Sequence, residues 1–133
     1  PGSEDIFSVL NALPKDRFRL FPSMRFNHFS ELMKNAACMI GNSSAGVREA
    51  PFLGLASLDV GTRQTNRAQS ASVFSCAAED RSAIAAFLAT QWGHKHAPHK
   101  GFGEGRAADR FVEVLQEQSF WDQGLQKAFH DIN

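Results

Sequence analysis

Apolar residues recur along this chain at two spacings, which predict helices and short buried strands in alternation. Spacings of three and four residues predict helices over 3–13, 26–36, 106–118 and 120–131, and one from a cap at Asp80 or Ser82 to Trp92. Compact apolar runs predict strands over 18–21, 38–40, 55–60 and 72–76. A short helix is expected from the polar break at 41–44 to Pro51 or Gly54.

This alternation predicts an α/β fold, in which helices cover a parallel sheet joined by right-handed crossovers. Such sheets bind ligands at the carboxyl ends of their strands. The places to search for a site are therefore just after Ile40, just after Val60, and before the helix that starts near Phe26.

Composition narrows the class of protein. A length of 133 residues is enough for one domain with a core and too short for two ordinary ones. The 14 basic and 14 acidic residues cancel, which argues against a nucleic-acid binder. No segment has the features of a membrane span or of a secretory signal. With Cys38 and Cys76 expected as free thiols, the chain is predicted to be a cytoplasmic domain that binds no membrane.

The residues that follow the 38–40 strand suit a phosphorylated ligand. Ser43 and Ser44 precede a helix start, where free N–H groups and the helix dipole favour an anion. Glu49 lies one turn further and points back toward that start, where a carboxylate suits paired sugar hydroxyls. Together they describe a site for a nucleoside diphosphate. An ordinary serine helix cap and a solvated glutamate would also explain these residues, and taken alone that is the commoner case.

Two further places lie at the same predicted sheet edge. Arg63 and Arg67 follow the 55–60 strand and can neutralise a diphosphate, although such a loop is equally common as plain surface. At the start of the second helix, Phe26 or Phe29 can stack on a base, but Phe29 also fits the core face of that helix.

Four segments, taken in order, form a specific pattern. They are Pro22-Ser23-Met24-Arg25-Phe26, then Met39-Ile40-Gly41-Asn42-Ser43-Ser44-Ala45-Gly46-Val47-Arg48-Glu49-Ala50-Pro51, then Gly61-Thr62-Arg63-Gln64 with Asn66-Arg67, and finally Gly103-Glu104-Gly105 with Ala107 and Arg110-Phe111. Over nearly the whole chain this pattern resembles the C-terminal domain of the UDP-N-acetylglucosamine 2-epimerases. It resembles the hydrolysing branch, because the other branch usually has Asp-Ser-Gly-Gly at the second segment and a threonine-rich loop at the third.

The resemblance implies a fold and a ligand. The fold is a three-layer Rossmann-like parallel sheet, part of a glycosyltransferase-B-type arrangement, with residues 1–133 as one shortened C-terminal UDP-binding domain. No metal or cofactor is expected, and the family usually forms homo-oligomers. The UDP contacts carried over by position are Ser43 and Ser44 for the diphosphate, Glu49 for the ribose, Phe29 for the uracil, Arg63 in the nucleotide site and Arg67 beside it.

The resemblance also implies a reaction. In that family the enzyme eliminates UDP across C1–C2 of the sugar to give a glycal and then adds water, which yields N-acetylmannosamine or a related sugar for sialic-acid-type pathways. Elimination needs a base for the C2 proton and stabilisation of the leaving diphosphate. Pro1-Gly2-Ser3 resembles a loop in the middle of the second domain. The N-terminal catalytic domain, with the acidic residues and the histidine, is therefore expected outside this chain, and the chain alone is expected to be inactive.

Two other functions remain open. A glycosyltransferase of the same architecture would bind a nucleotide diphosphate at the same place. A non-catalytic module could bind a nucleotide sugar as a regulator or assemble with another chain.

Some conspicuous residues are given structural roles. His94, His96 and His99 form a solvated loop, because a zinc site needs three or four converging ligands. The glycines of 101–105 make a tight entry to the following helix. The residues expected in the core of the C-terminal part are Trp92, Phe111, Leu115, Phe120 and Phe129.

Overall fold

The structure is a computed structural model that describes residues 2–67, 70–122 and 124. Helices and strands alternate as the sequence predicts, and the predicted α/β class is confirmed. In chain order the elements are α1 (Ser3–Asn11), α2 (Phe26–Asn35), β1 (Met39–Gly41), α3 (Ser44–Val47), α4 (Glu49–Phe52), β2 (Ser57–Val60), β3 (Val73–Cys76), α5 (Arg81–Gln91), α6 (Ala107–Gln116) and α7 (Gln118–Trp121).

The three strands form a parallel sheet in the order β1-β2-β3. Met39 pairs with Ser57, and Ser57 in turn pairs with Val73. The predictions for 38–40, 55–60 and 72–76 are confirmed, with each strand starting one or two residues later than the apolar run. The central strand is the most buried, as expected for a parallel strand covered on both faces.

The predicted strand over 18–21 is wrong. The main-chain N–H groups of Arg17 and Phe18 both donate to the Pro14 carbonyl, at 3.1 and 3.0 Å, and form a turn. In the described part of the chain β1 pairs with β2 alone, so no neighbour takes up the hydrogen bonds of this segment. Phe18, Leu20 and Phe21 are exposed. An apolar run cannot form a strand without a partner strand, and periodicity alone does not supply one.

The core lies on both faces of the sheet. On one face Met33, Ala50 and Leu55 form a buried cluster beneath α2 and α4. On the other face Leu58 and Phe87 pack together, which fixes α5 on the sheet. Gly46 lets α3 approach β2 closely, because a Cβ at that position would lie 2.7 Å from Ser57 Oγ.

The single short helix predicted after the 41–44 break is in fact two helices, α3 and α4. They meet at Arg48, whose φ and ψ of −114° and −62° depart from helical values. Pro51 explains the division, since it has no N–H to donate to the carbonyl of Val47 four residues earlier.

A strap over residues 93–105 joins the sheet to the C-terminal helices. Main-chain N–H groups of Gly93, His96 and His99 donate to the carbonyls of Ala37, Gly54 and Pro51 at 3.0, 2.9 and 2.9 Å. The Lys95 ammonium donates to the Ala36 carbonyl at 3.3 Å, beyond the C-terminal end of α2. The strap is therefore fixed along its first half by the residues that follow α2 and by those in and after α4.

The two outer helices, α1 and α6, have no buried residue. The predicted core positions Trp92, Phe111 and Phe120 are wrong, since all three are exposed, while Leu115 is half-buried. Phe129 and most of the predicted helix 120–131 lie outside the described residues. No helix in the described part of the chain is long and apolar enough to cross a membrane.

Candidate functional site

A cavity of about 430 Å³ lies where α2, the α3–α4 junction and the strap meet. Its walls are mainly apolar, and two charged side chains, Arg48 and Glu49, reach it. Cavities of this size, apolar with a few polar groups, are typical of small-molecule sites. The lining residues are Phe26, Ser30, Met33, Arg48, Glu49, Phe52, Leu53, Phe102, Gly103 and Gly105.

Glu49 supplies an acceptor to this cavity. It is the first residue of α4, and its Oε2 is buried with no hydrogen-bond partner among the described residues. A buried carboxylate oxygen without a donor costs free energy, so the site favours a ligand that brings hydroxyl or amine donors.

Aromatic rings form the opposite walls. Phe26 comes from the start of α2, Phe52 from the end of α4 and Phe102 from the strap. The Arg48 guanidinium carbon lies 5.2 Å from the centroid of the Phe102 ring, within the range of a cation–π contact. This contact connects the strap to the α3–α4 junction across the cavity.

Phe29, which the resemblance assigns to the base, lies elsewhere. It packs against the cluster of Met33, Ala50 and Leu55. It also lines a second cavity of about 360 Å³, together with Leu20, Phe21 and Leu32 among others. Phe26 is the aromatic of α2 that shares a cavity with Glu49, and a role of Phe29 in stacking stays a prediction.

The predicted phosphate-binding residues lie at the carboxyl end of the sheet. Ser43 caps α3, and its Oγ accepts a hydrogen bond from the Ala45 N–H at 3.3 Å. Ser43 is therefore a helix cap, as the commoner explanation of this residue predicts. Ser44 begins α3 and is exposed. Gln64 Nε2 donates to the Asn42 carbonyl at 2.8 Å, which joins the loop after β2 to the residues after β1.

Arg63 and Arg67 are exposed in that loop. Neither lines the cavity of Glu49. Of the six predicted contacts, Phe29 lines the second cavity and Glu49 lines the first, while Ser43, Ser44, Arg63 and Arg67 lie at the carboxyl end of the sheet. The last two of these places are neighbours. The helix α3 separates them, and its four residues span about 6 Å at about 1.5 Å each.

Burial changes the acid–base behaviour of three groups near the sheet. It raises the pKa of the Asp59 carboxyl on β2 and of the Cys38 thiol before β1. Burial and the neighbouring His94 lower the pKa of His96, whose Nε2 lies 3.0 Å from Gln91 Oε1. Both cysteines are free thiols. No cluster of three metal-ligating side chains occurs in the described ranges.

Sequence reasoning missed Arg48 and the strap as parts of the site. The sequence did contain a signal for the strap. Gly103 and Gly105 belong to the segments that carry the family resemblance, although neither is a buried core residue. Interpreting 101–105 only as an entry to a helix concealed its position over the cavity.

A parallel α/β sheet with a mainly apolar cavity beside its crossover helices defines a protein of the Rossmann-like class. The family model described as UDP-N-acetylglucosamine 2-epimerase matches residues 1–116. The chain therefore belongs to the UDP-N-acetylglucosamine 2-epimerase family.

Individual relatives agree with this assignment. A UDP-N-acetylglucosamine 2-epimerase of Neisseria meningitidis serogroup B is 38% identical over 135 residues, covering 99% of this chain and 36% of that protein. The polysialic acid biosynthesis protein P7 of Escherichia coli is 34% identical over 51% of this chain and 17% of its own length. A GDP/UDP-N,N'-diacetylbacillosamine 2-epimerase (hydrolyzing) of Campylobacter jejuni is 36% identical over 41% of this chain and 14% of its own length. The chain thus spans about a third of the length of the Neisseria relative.

Proposed function

We propose that this chain is the UDP-binding part of a hydrolysing UDP-N-acetylglucosamine 2-epimerase. The observation that carries the proposal is the buried Glu49 Oε2, which has no hydrogen-bond partner in the described part of the chain and lies on the wall of a cavity with three aromatic side chains. A ribose supplies the hydroxyl donors that this oxygen lacks. Family membership supports UDP as the nucleotide.

The positions of Ser43 and Ser44 at the sheet edge and of Glu49 in the cavity support one orientation of the bound UDP. The diphosphate lies at Ser43 and Ser44, the ribose at Glu49 and the base among the aromatic residues beyond it. The exposed Arg63 and Arg67 are on the loop after β2 and neutralise the phosphates. A span of about 6 Å along α3 suits the separation of a diphosphate from a ribose.

The base is held between the aromatic walls. Phe26 and Phe102 offer ring faces for stacking, and the Arg48 guanidinium donates to carbonyl oxygens of the base. A guanidinium has donors only, so it favours uracil over cytosine, which carries an amino group at the corresponding edge. Phe29 is kept as the alternative stacking residue.

The complete protein performs the reaction in this proposal. It eliminates UDP from UDP-N-acetylglucosamine or a related UDP-N-acetylated sugar, adds water and releases the 2-epimer sugar, such as N-acetylmannosamine. This chain stabilises the leaving diphosphate, and residues outside it remove the C2 proton, so the chain alone is inactive. Product analysis separates this reaction from a glycosyltransferase, which would move the sugar to an acceptor instead of releasing it with UDP.

The first experiment is a calorimetric titration of UDP into the protein and into its Glu49→Ala variant. Loss of the carboxylate removes hydrogen bonds to the ribose, each worth about 1.5–3 kcal/mol when one partner is charged, so affinity should fall about tenfold or more. Glu79→Ala is the matched control, because Glu79 is an exposed glutamate outside the cavity. Equal affinities of the two variants would contradict the ribose role of Glu49. No UDP binding by the complete natural protein would contradict the proposed function.

Assembly and location complete the proposal. Exposed apolar residues on α1 and α6, Ile6 and Phe111 among them, suit a covered surface, and we expect a cytoplasmic homo-oligomer. A monomer in light scattering at high protein concentration would contradict this expectation.

A further inference from the structure

A buried polar pair lies at the carboxyl end of β2, outside the cavity of Glu49. Asp59 and Gln64 are each 4% exposed. Within the described residues, neither Asp59 Oδ1 nor Gln64 Oε1 has a hydrogen-bond partner. Two buried acceptors therefore lie at one sheet edge without a donor, an arrangement that costs free energy unless one of them carries a proton.

The side chains of Asp59 and Gln64 both lie beside the residues that follow β1. Asp59 pairs with Gly41 in the sheet. Because side chains alternate between the faces of a strand, Asp59 points to the same face as Ser57, which lies against Gly46 of α3. Gln64 reaches the same segment through its bond to the Asn42 carbonyl.

Among the described residues, no cation forms an ion pair with the Asp59 carboxyl. The elements on its side of the sheet and beside it are β1, β3, α2, α3 and α4. None of their titratable side chains forms an ion pair with Asp59 in the described part of the chain; they are His28, Glu31, Lys34, Arg48 at the α3–α4 junction, Glu49 and Cys76. Among the described residues Arg63 and Arg67 form no ion pair with Asp59 and are exposed. The one charged residue of α5, Arg81, belongs to the helix on the opposite face. Burial raises the pKa of the carboxyl accordingly.

We propose that Asp59 is a positioning residue whose neutral carboxyl donates to Gln64 Oε1 and thereby fixes the amide that holds the Asn42 carbonyl. This bond sets the conformation of residues 42–44, where the diphosphate binds. It also keeps an anion away from the phosphates. The second half of the inference rests on the proposed function, while the protonation of Asp59 does not.

The first test measures melting temperature against pH for the complete natural protein and its Asp59→Asn variant. Asparagine keeps a donor for Gln64 Oε1 but does not titrate. A raised folded pKa gives the wild type its full stability below the ordinary aspartate value of about 3.9, and that stability declines as pH rises through the folded pKa. The advantage of Asp59→Asn should therefore widen as pH rises above the ordinary aspartate value. A difference that does not change with pH would overturn the proposal.

The second test compares UDP with uridine, which has no phosphate. Gln64→Met removes the amide and should weaken UDP binding about fivefold, the effect of one net hydrogen bond, while uridine binding stays unchanged. Asp59→Asn should retain both affinities. If Gln64→Met fails to fold, Gln64→Asn keeps an amide on a side chain one methylene too short to reach Asn42. Equal weakening for both ligands, or none, would overturn the positioning role. A wild type that binds neither ligand would refute the proposed function and leave the pH test to decide the state of Asp59.

Discussion

The helices α5 and α6 have nearly the same length, 11 and 10 residues, but contribute very differently to the fold. The helix α5 packs on β3, buries Phe87 against Leu58 and is capped by the Asp80 side chain. The helix α6 contacts α7, buries no residue and has no side-chain cap. Both have apolar residues at helical spacing. The comparison shows that such spacing predicts where a helix forms, whereas burial depends on whether a partner surface lies opposite.

The largest expected effect is a difference in the free energy of unfolding between alanine variants of Phe87 on α5 and Phe111 on α6. Phe87→Ala removes a ring that is 4% exposed, and we expect a loss of about 3–5 kcal/mol in the free energy of unfolding. Phe111→Ala removes a ring that is 64% exposed and should change that free energy by less than about 0.5 kcal/mol. Urea unfolding of both variants measures the difference. A large loss for Phe111→Ala in the complete natural protein would show that another part covers α6 there.

The strap between the two helices gives the next largest effect. Gly54 has a φ of +65°, and a Cβ there would collide with the main-chain carbonyl of His96. Gly54→Ala should cost about 1–3 kcal/mol more than Gly93→Ala, because Gly93 has a similar φ of +72° but open space around it. Urea unfolding of the two variants isolates the packing of the strap. Equal costs would mean that the strap is not fixed against α4.

Much of this architecture can be predicted from the sequence, because parallel strands and their crossover helices produce local patterns of apolar residues. The strands ending at Gly41, Val60 and Cys76 are such cases, and so is the α5 cap, where Asp80 was one of two candidates. The strand prediction for residues 18–21 was wrong. Their apolar spacing is compatible with a strand, but a strand also needs a neighbouring strand, which no local pattern reveals. The prediction of Phe111 as a core residue was wrong for a related reason, because α6 has no partner surface among the described residues.

The candidate site was predicted less completely than the fold. Glu49 and the serines are recognisable because a helix start after a strand is a place with a known chemistry. Phe102 and Arg48 are brought to the cavity by contacts between segments about 50 residues apart, and a single sequence contains no local signal for such a contact. The choice between Phe26 and Phe29 likewise depends on which face of α2 turns to the core.

A smaller effect should show how far the site extends along the strap toward α6. Phe102→Ala removes a cavity wall and should weaken UDP binding about tenfold, since stacking of a base on an aromatic ring contributes about 1–3 kcal/mol. Phe111→Ala is the matched control, an exposed phenylalanine nine residues further that should leave the affinity unchanged. Calorimetric titration of both variants measures this, and equal affinities would remove the strap from the site.

The smallest effect concerns the cap that α5 has and α6 lacks. Asp80 Oδ1 accepts from the Ser82 hydroxyl at 2.6 Å and from the Ala83 N–H at 2.9 Å, and these bonds hold the pKa of the Asp80 carboxyl below its usual value. A lowered folded pKa means that the stabilisation is present above the ordinary aspartate value of about 3.9 and is lost as pH falls through the folded value. Asp80→Ala should therefore melt below the wild type at pH 7, and the gap should close progressively in acid. Asp80→Asn, which caps the helix without titrating, should keep a gap to Asp80→Ala at every pH. If the wild-type advantage over Asp80→Ala persisted unchanged in strong acid, the stabilisation would come from the packing of the Asp80 side chain and not from its charge.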